Sequence, residues 1–319
     1  MIDTDRPRIG VSACLLGKQV RYDGGHKKSV FLTGALQRFV DFVPVCPEVE
    51  SGMTVPRESL RLIERSEGVR LIGNRSREDY TEQVERWARA SVASLAALPL
   101  DGFVLKKDSP SCGLTRVRVF PGDGNLAPAR EGTGLFAAQL RKGIPSLPLA
   151  EDGWLFDATL REAFLEQIFL HHRMRRTLLA APSRAGLLEF HADHKLIYMA
   201  HSPVRYRELG RLAASVATRP LAETLTSYRE NAIAALRERA TPGKHANVLQ
   251  HVMGYFKDVL SAGEKSELLG LIDEFRTGLH GLAVPLTLLV HHLRKHEIGG
   301  WLARQVYFQP YPRALSAPF

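Results

Sequence analysis

The chain has 319 residues, enough for two ordinary domains that each bury a core of their own. Its content of 45% hydrophobic and 24% charged residues is typical of a globular protein, and no apolar run reaches the length that spans a bilayer. The first residues, Met1 to Asp5, are polar and acidic and lack the pattern of a signal peptide, so the sequence predicts a cytoplasmic protein.

The formal net charge is +9, and the excess is spread along the chain. Residues 1–150 carry 22 Lys and Arg against 17 Asp and Glu, and residues 151–319 carry 21 against 17. This balance permits a polyanionic partner such as RNA. A slightly basic enzyme has the same balance, and charge alone favours that simpler interpretation.

Cysteine and histidine are distributed in opposite ways. All three cysteines precede residue 113, whereas 11 of the 12 histidines follow residue 170. The two halves therefore carry different chemistry, which indicates two domains.

The N-terminal half alternates between short apolar runs and helical patterns. In chain order it contains predicted strands over 8–13 and 42–45, an amphipathic helix over 79–98, a strand over 102–105, a helix over 135–142 and a further short segment over 144–149. Asp79 or Thr81 is the expected helix cap, and Pro99 ends that helix. This alternation predicts an α/β domain with a mainly parallel sheet.

The C-terminal half is predicted to be almost entirely helical. The expected helices cover 155–176, 184–200, 204–217, 219–239, 244–260 and 264–276, with more helical segments around 284–305. The breaks are marked by Pro203, Pro220, Thr241-Pro242-Gly243, Gly263 and Pro285. We therefore predict an α/β domain over 1–155, a helical linker over 156–184 and an all-α domain over 185–319.

Each cysteine follows a predicted strand. Cys14 follows 8–13, Cys46 follows 42–45, and Cys112 follows 102–105 and a turn. Ligands of open α/β sheets bind beyond the carboxyl ends of the strands, so the three thiols are expected to converge on one site. Buried inert thiols are the usual alternative, but the polar loops around these cysteines disfavour it. Spacing alone leaves the metal undecided. The sequence lacks the Cys-x-x-Cys pair that most structural zinc sites contain.

The sequence around the cysteines resembles the thiouracil desulfidase family (domain of unknown function 523). The matching segments are Val11–Gly17, Arg21–Gly25, Val45–Val49 with Gly52 and Met53, and Lys106–Gly113. The resemblance covers about residues 6–150. It implies that Cys14, Cys46 and Cys112 bind one [4Fe–4S] cluster and that the fourth iron binds the substrate sulfur.

The same resemblance implies two catalytic residues, Glu48 and Ser109. A soft open iron polarises a C–S bond, so water can attack the ring carbon and sulfur leaves as sulfide without net redox change. Glu48 would activate the water or shuttle a proton, and Ser109 would orient the substrate or relay a proton. Without the resemblance, a loop-capping carboxylate and a turn-forming serine would be the preferred interpretations.

Five further residues are candidates for substrate contacts: Ser12, Asp23, Lys106, Lys107 and Ser111. Ser12 and Ser111 flank cysteines and are able to donate hydrogen bonds toward cluster sulfurs. Asp23 is equally well explained as a turn former. The two lysines face either a phosphate or water.

Two polar stripes at helical spacing stand out in the C-terminal half. They comprise His191, His194, Lys195 and His201 in the first stripe, with Tyr198, and Asn247, His251, Tyr255 and Lys257 in the second. Metal binding, hydrogen-bonded contacts between helices and RNA binding are all compatible with this pattern. In RNA binding, aromatic and histidine rings stack on unpaired bases while lysines hold phosphates.

Residues 185–313 resemble a second family, domain of unknown function 1722, which is commonly fused behind the desulfidase domain. The matching motifs run from Phe190 to His201, around Tyr206 and Gly210, from Asn247 to Lys257 and from Gln305 to Pro312. The fusion implies removal of sulfur from 4-thiouridine in tRNA, or from a 4-thiouracil nucleotide. The alternatives are a desulfidase of small thiouracils with a structural helical domain and a non-catalytic iron–sulfur sensor that binds RNA.

Overall fold

The computed structural model describes residues 6–122 and 127–316 of the chain. It divides into two compact units. The α/β unit comprises the chain through His172 together with the segment from Pro312, and the helical unit comprises Arg173–Tyr311. Within the described residues, no helix has the length and apolar character needed to cross a bilayer.

In its described residues, the α/β unit contains eight strands in two sheets. In chain order they are β1 (Arg8–Ser12), β2 (Asp41–Val45), β3 (Leu60–Arg65), β4 (Gly68–Gly73), β5 (Gly102–Leu105), β6 (Val117–Pro121), β7 (Ala129–Gly132) and β8 (Leu149–Glu151). The first sheet has the order β2-β1-β5-β8, and all of its pairs are parallel. The predicted parallel sheet is confirmed. Its last strand, however, is Leu149–Glu151, so the predicted segment 144–149 overlaps that strand only at Leu149.

The second sheet was not expected from the sequence. Its order is β4-β3-β6-β7, in which two antiparallel hairpins are joined by the parallel pair β3 and β6. These strands are short and alternate apolar residues with arginine and glutamate, a pattern that single-sequence reasoning does not separate from loops.

Four helices belong wholly or mainly to the α/β unit: α1 (Pro47–Glu50), α2 (Thr81–Ala96), α3 (Leu135–Gly143) and α4 (Ala158–Met174). Helix α2 confirms the predicted amphipathic helix, although its N-cap position is Tyr80, without a side-chain cap. Asp79 instead accepts a hydrogen bond from the backbone N–H of Thr81. Phe103 on β5 packs against Phe136 on α3 with ring centroids 5.7 Å apart, which joins sheet and helix in one core.

The close approach of two strands depends on Gly10. A β-carbon at this position would lie 2.1 Å from the ring of Phe103, a distance that no real side chain tolerates. Gly10 therefore lets β1 pack closely against β5, so that the carboxyl end of β1 lies between those of β2 and β5. The cysteines follow these strand ends in the sequence.

The helical unit contains α5 (Arg184–His201), α6 (Pro203–Ala214), α7 (Leu221–Arg237), α8 (Pro242–Met253), α9 (Ala262–Thr277), α10 (Ala283–Lys295) and α11 (Gly300–Ala303). The all-helical prediction is confirmed, and the helical segments predicted around 284–305 are α10 and α11. The helix predicted over 244–260 ends at Met253, and several residues predicted as breaks, Pro203, Pro242, Gly243, Gly263 and Pro285, lie inside first turns. A first-turn proline is tolerated because its missing N–H has no intrahelical partner there.

Candidate active site

The three cysteines line one cavity of about 370 Å³ at the carboxyl end of the parallel sheet. Ser12 pairs with Val45 in the register of β1 and β2, so Cys14 and Cys46 leave the sheet side by side. Cys112 reaches the same cavity on a loop that α3 holds. In that contact Gly134 donates to the carbonyl of Gly113 over 2.7 Å, and a β-carbon on Gly134 would lie 2.5 Å from the backbone of Ser111.

All three thiols are free, and burial favours their neutral form. Burial raises the pKa of Cys14 to about 11 and also raises the pKa values of Cys46 and Cys112, the last one well above its ordinary value. Repulsion from the Cys46 sulfur also raises the pKa of Cys14, and repulsion from the sulfurs of Cys14 and Cys46 raises the pKa of Cys112. A metal bound here must therefore displace protons, so its affinity rises with pH.

The chemistry of these donors fits an iron–sulfur cluster. Thiolates are the ligands that such clusters use, and a four-iron cluster held by three of them retains one iron without a protein ligand. The chain contains no fourth cysteine. A hydrogen bond from the Ser12 hydroxyl lowers the pKa of Cys112, although desolvation outweighs it. Such a bond is typical of residues that tune a metal-bound sulfur.

Glu48 lines the cavity and is held at both of its carboxylate oxygens. Oε2 accepts from Nε of Arg57 over 3.0 Å and also pairs with Nη2 of the same side chain. Oε1 accepts from the Ser111 hydroxyl over 2.9 Å. The side chains of Glu48 and Arg57 are only 16% and 7% exposed, so this ion pair is partly shielded from solvent.

Ser109 organises the loop that carries Cys112. Its hydroxyl oxygen accepts the backbone N–H of Ser111 over 3.2 Å and that of Cys112 over 3.0 Å. The oxygen is thus engaged as an acceptor, while the hydroxyl hydrogen remains able to donate into the cavity. This geometry matches the turn-forming interpretation and is compatible with a substrate contact.

The other candidates occupy different environments. Ser12 is buried and accepts the backbone N–H of Lys106 over 3.0 Å, and Lys106 pairs with Asp152 over 3.0 Å. Lys107 is exposed and lines the cavity. Asp23 is not among the lining residues; it accepts the backbone N–H of Gly25 in a turn, which supports the alternative interpretation of this residue.

Sequence reasoning missed Arg57 and Asp152, the charged partners of Glu48 and Lys106. Arg57 follows Glu48 by nine residues across an irregular loop, and Asp152 follows the last strand of the sheet. No motif spacing indicates either pairing, because each depends on how distant loops meet. An arginine near a predicted catalytic carboxylate was the only available signal.

The first polar stripe of the helical unit is largely interior. His194 and His201 are 4% and 2% exposed. The ring of His194 stacks on Phe190, and its Nε2 accepts from Nε of Arg173 over 3.1 Å. Nδ1 of His201 donates to the carbonyl of Glu238 over 2.7 Å. These contacts match the interpretation of the first stripe as hydrogen-bonded helix contacts.

The second stripe lies on the surface. Asn247, His251 and Lys257 are exposed, and Tyr255 is 45% exposed. Tyr255 makes edge-to-face contacts with His251 and with Trp301, with ring centroids 5.7 and 5.3 Å apart. The Lys195 ammonium lies 3.3 Å from the centroid of the Trp301 ring. His251, Tyr255, Trp301 and Lys195 thus form a chain of contacts, and together with the exposed Asn247 and Lys257 we name them the α8 patch.

We expect acid to destabilise the helical unit through its buried histidines. Burial, followed by the charge of Lys195, lowers the pKa of His191 to about 4, and burial also holds the pKa of His194 well below its ordinary value. The unfolded chain therefore binds more protons between about pH 6.5 and 4, so stability falls as pH falls through this range.

Urea unfolding followed by the helical circular dichroism signal at pH 7.5, 6 and 5 measures this effect. His191→Gln should weaken the dependence on pH, whereas His251→Gln, at an exposed position, should leave it unchanged. Equal dependence in the wild type and His191→Gln would contradict the assignment.

Comparisons with known proteins place each half of the chain in a family. The 2-thiouracil desulfurase family matches residues 9–152, and a protein family of unknown function, DUF1722, matches residues 195–312. The uncharacterized protein YbgA of Escherichia coli (strain K12) is 33% identical over 156 residues, which are 49% of this chain and 92% of YbgA.

Two further relatives resemble this chain. The uncharacterized protein YbbK of Bacillus subtilis (strain 168) is 34% identical over 113 residues, or 33% of this chain and 72% of YbbK. The solved structure of the [4Fe-4S]-dependent thiouracil desulfidase TudS is 30% identical, covers 47% of this chain and 93% of that chain, and superposes with a TM-score of 0.39. This chain belongs to the 2-thiouracil desulfurase family, with a DUF1722 region following its desulfurase domain.

Proposed function

We propose that this chain is a [4Fe–4S]-dependent desulfidase that removes sulfur from 4-thiouridine in tRNA or from 4-thiouracil nucleotides. Hydrolysis would give the uracil form and sulfide. The proposal is carried by one observation: Cys14, Cys46 and Cys112 leave three strand ends and line a single cavity together with the carboxylate of Glu48. Three free cysteines are also typical of a protein that works in the reducing cytoplasm.

The cluster, when bound by these three thiolates, supplies a soft Lewis-acidic iron for a thiocarbonyl sulfur. Glu48 acts on the water. Its carboxylate accepts one proton as the water oxygen bonds to the ring carbon; the C–S bond then breaks, and the second water proton leaves with the sulfur as hydrosulfide. No oxidant or reductant is needed in this balance.

Arg57 and Ser111 position that carboxylate. Two nitrogens of the Arg57 guanidinium hold Oε2 of Glu48, and the Ser111 hydroxyl fixes the other oxygen. Ser109, whose oxygen already accepts two backbone N–H groups, is left to donate its hydroxyl hydrogen toward the substrate. Arg57 is a positioning residue in this scheme.

The charge around the cavity favours an anionic substrate. Arg21, Lys107 and Arg118 also line it; Nε of Arg21 pairs with Asp23 over 3.4 Å, whereas Lys107 and Arg118 are exposed to solvent. A second, more open cavity of about 740 Å³ shares Arg57 with the first and includes Arg75. Together the two cavities offer room and positive charge for the ribose and phosphates that accompany a thiolated base.

The α8 patch supports an RNA substrate. The exposed rings of His251 and Tyr255 and the half-buried ring of Trp301 offer stacking surfaces for unpaired bases, and Lys257 offers a phosphate contact. The competing candidate, a desulfidase of small thiouracils with a structural helical unit, is favoured by the buried contacts of His194 and His201. The two candidates differ in which substrate is turned over faster.

The deciding experiment is anaerobic turnover by the cluster-loaded full chain. It compares tRNA that contains 4-thiouridine, 4-thiouridine monophosphate and free 4-thiouracil, with sulfide release as the readout. We expect the tRNA or the nucleotide to react faster than the free base. Faster reaction of the free base would support the small-molecule candidate, and no sulfide from any of the three would exclude both.

Binding to thiolated tRNA is expected to weaken with salt, since phosphate contacts release counterions. Lys107→Ala, Arg118→Ala and Lys257→Ala should each make the log–log slope shallower by about 0.7 to 0.9, the value of one contact. Arg276→Ala is the control, because Asp273 already pairs with that guanidinium. Slopes that match the wild type in all three variants would remove these residues from the RNA interface.

A further inference from the structure

The helices α9 and α10 bring three metal-binding side chains together in the helical unit. The ligand atoms of Glu264, His292 and His296 all lie within 4.8 Å of one another. His292 and His296 are four residues apart, at the end of α10, so their rings lie on the same face of the helix. Their planes are nearly parallel, at 23°, with centroids 6.0 Å apart.

These histidines leave buried nitrogens without partners. The His292 side chain is 3% exposed, yet neither of its ring nitrogens has a hydrogen-bond partner within residues 6–122 and 127–316. Nε2 of His296 is likewise buried and unpartnered in that part of the chain. A buried imidazole nitrogen without a partner costs free energy, so these atoms favour a ligand that accepts their lone pairs.

We propose that Glu264, His292 and His296 form a binding site for a divalent transition metal of the zinc class. Two imidazoles and one carboxylate are an established ligand set for Zn²⁺, with a fourth position open to water. Imidazole donors also disfavour Mg²⁺ and Ca²⁺, which prefer sites made only of oxygen.

Lys295 competes with the metal for one ligand. Its ammonium lies 2.6 Å from Oε1 of Glu264, while Oε2 of Glu264 accepts from the backbone and hydroxyl of Ser261 at the start of α9. The Lys295 side chain is 48% exposed, so it is free to move into solvent when a metal takes its place. Lysine and metal are thus alternative cations for the same carboxylate.

The site would join α9 to α10. Because the ligands come from both helices, a metal that binds only the folded arrangement stabilises it by mass action. Neither the site nor its test depends on desulfidase activity.

Cobalt(II) titration of the full chain tests the site and separates it from the cysteine cavity. Thiolate ligands give cobalt an intense near-ultraviolet charge-transfer band, whereas imidazole and carboxylate give only weak visible bands. We expect one thiolate-free cobalt site that Zn²⁺ displaces. His296→Gln should weaken cobalt binding by roughly 100-fold or more. Loss of a residue that only hydrogen-bonds a metal ligand typically weakens binding less, by about 10- to 100-fold. His291→Gln, at an exposed position next to the site, should leave it unchanged.

Lys295→Met gives a change of opposite sign. Removal of the competing ammonium should tighten cobalt binding and increase the rise in Tm that Zn²⁺ produces. Thermal melts of each metal-free variant check that the helical unit still folds. The proposal is overturned if all cobalt is thiolate-bound, if His296→Gln binds as tightly as the wild type in a folded protein, or if Lys295→Met does not tighten binding.

Discussion

Replacement of Cys14, Cys46 or Cys112 by alanine, one at a time, is expected to abolish sulfide release. Each thiol reaches the cavity from a different strand end, and the chain has no other cysteine that could replace it. Loss of one thiolate leaves a cluster with two protein ligands and a second open iron, which exposes it to solvent and oxygen. The effect on turnover should therefore be complete rather than graded.

Iron and sulfide analysis of anaerobically purified protein provides the measurement. The wild type should contain about four irons and four acid-labile sulfides per chain, as a [4Fe–4S] centre requires, and each variant should contain far less. Ser94→Ala, at an exposed position on α2, is the control for the effect of a small surface change. Stoichiometric zinc without acid-labile sulfide in an active preparation would refute the cluster assignment.

Glu48→Gln is expected to reduce turnover by about 100-fold or more while leaving iron and sulfide content unchanged. Glutamine preserves the shape and the hydrogen bond from Ser111 but removes the negative charge that accepts a proton. It also leaves the Arg57 guanidinium in the cavity without its counter-ion. Glu85→Gln, on the exposed side of α2, is the matched control.

Two further substitutions separate the role of Glu48 from that of its neighbours. Arg57→Lys retains one positive charge but loses the two-nitrogen contact that positions the carboxylate, so turnover should fall even where the cluster is intact. Ser109→Ala should lower turnover; a simultaneous loss of iron would show that this serine mainly holds the Cys112 loop. Wild-type rates in both Glu48→Gln and Ser109→Ala would assign these residues to loop structure.

The sequence was sufficient for features that depend on local pattern. Apolar runs ended by polar loops predicted β1, β2 and β5, and helical periodicity with terminal prolines predicted α2 and most of the helical unit. The predicted convergence of the three cysteines follows from these strand predictions, because the ends of parallel strands meet at one edge of a sheet. The family resemblance rested on those same loops.

Tertiary structure alone decided which side chains meet. The pairing of Glu48 with Arg57 depends on the path of an irregular loop, and the second sheet depends on pairing between short strands that are far apart in sequence. Both polar stripes follow a helical spacing, yet His194 and His201 are buried and Tyr255 is exposed. Periodicity specifies a face of a helix but not what that face contacts: every residue of α5 from Leu196 to His201 is buried, because neighbouring helices surround it.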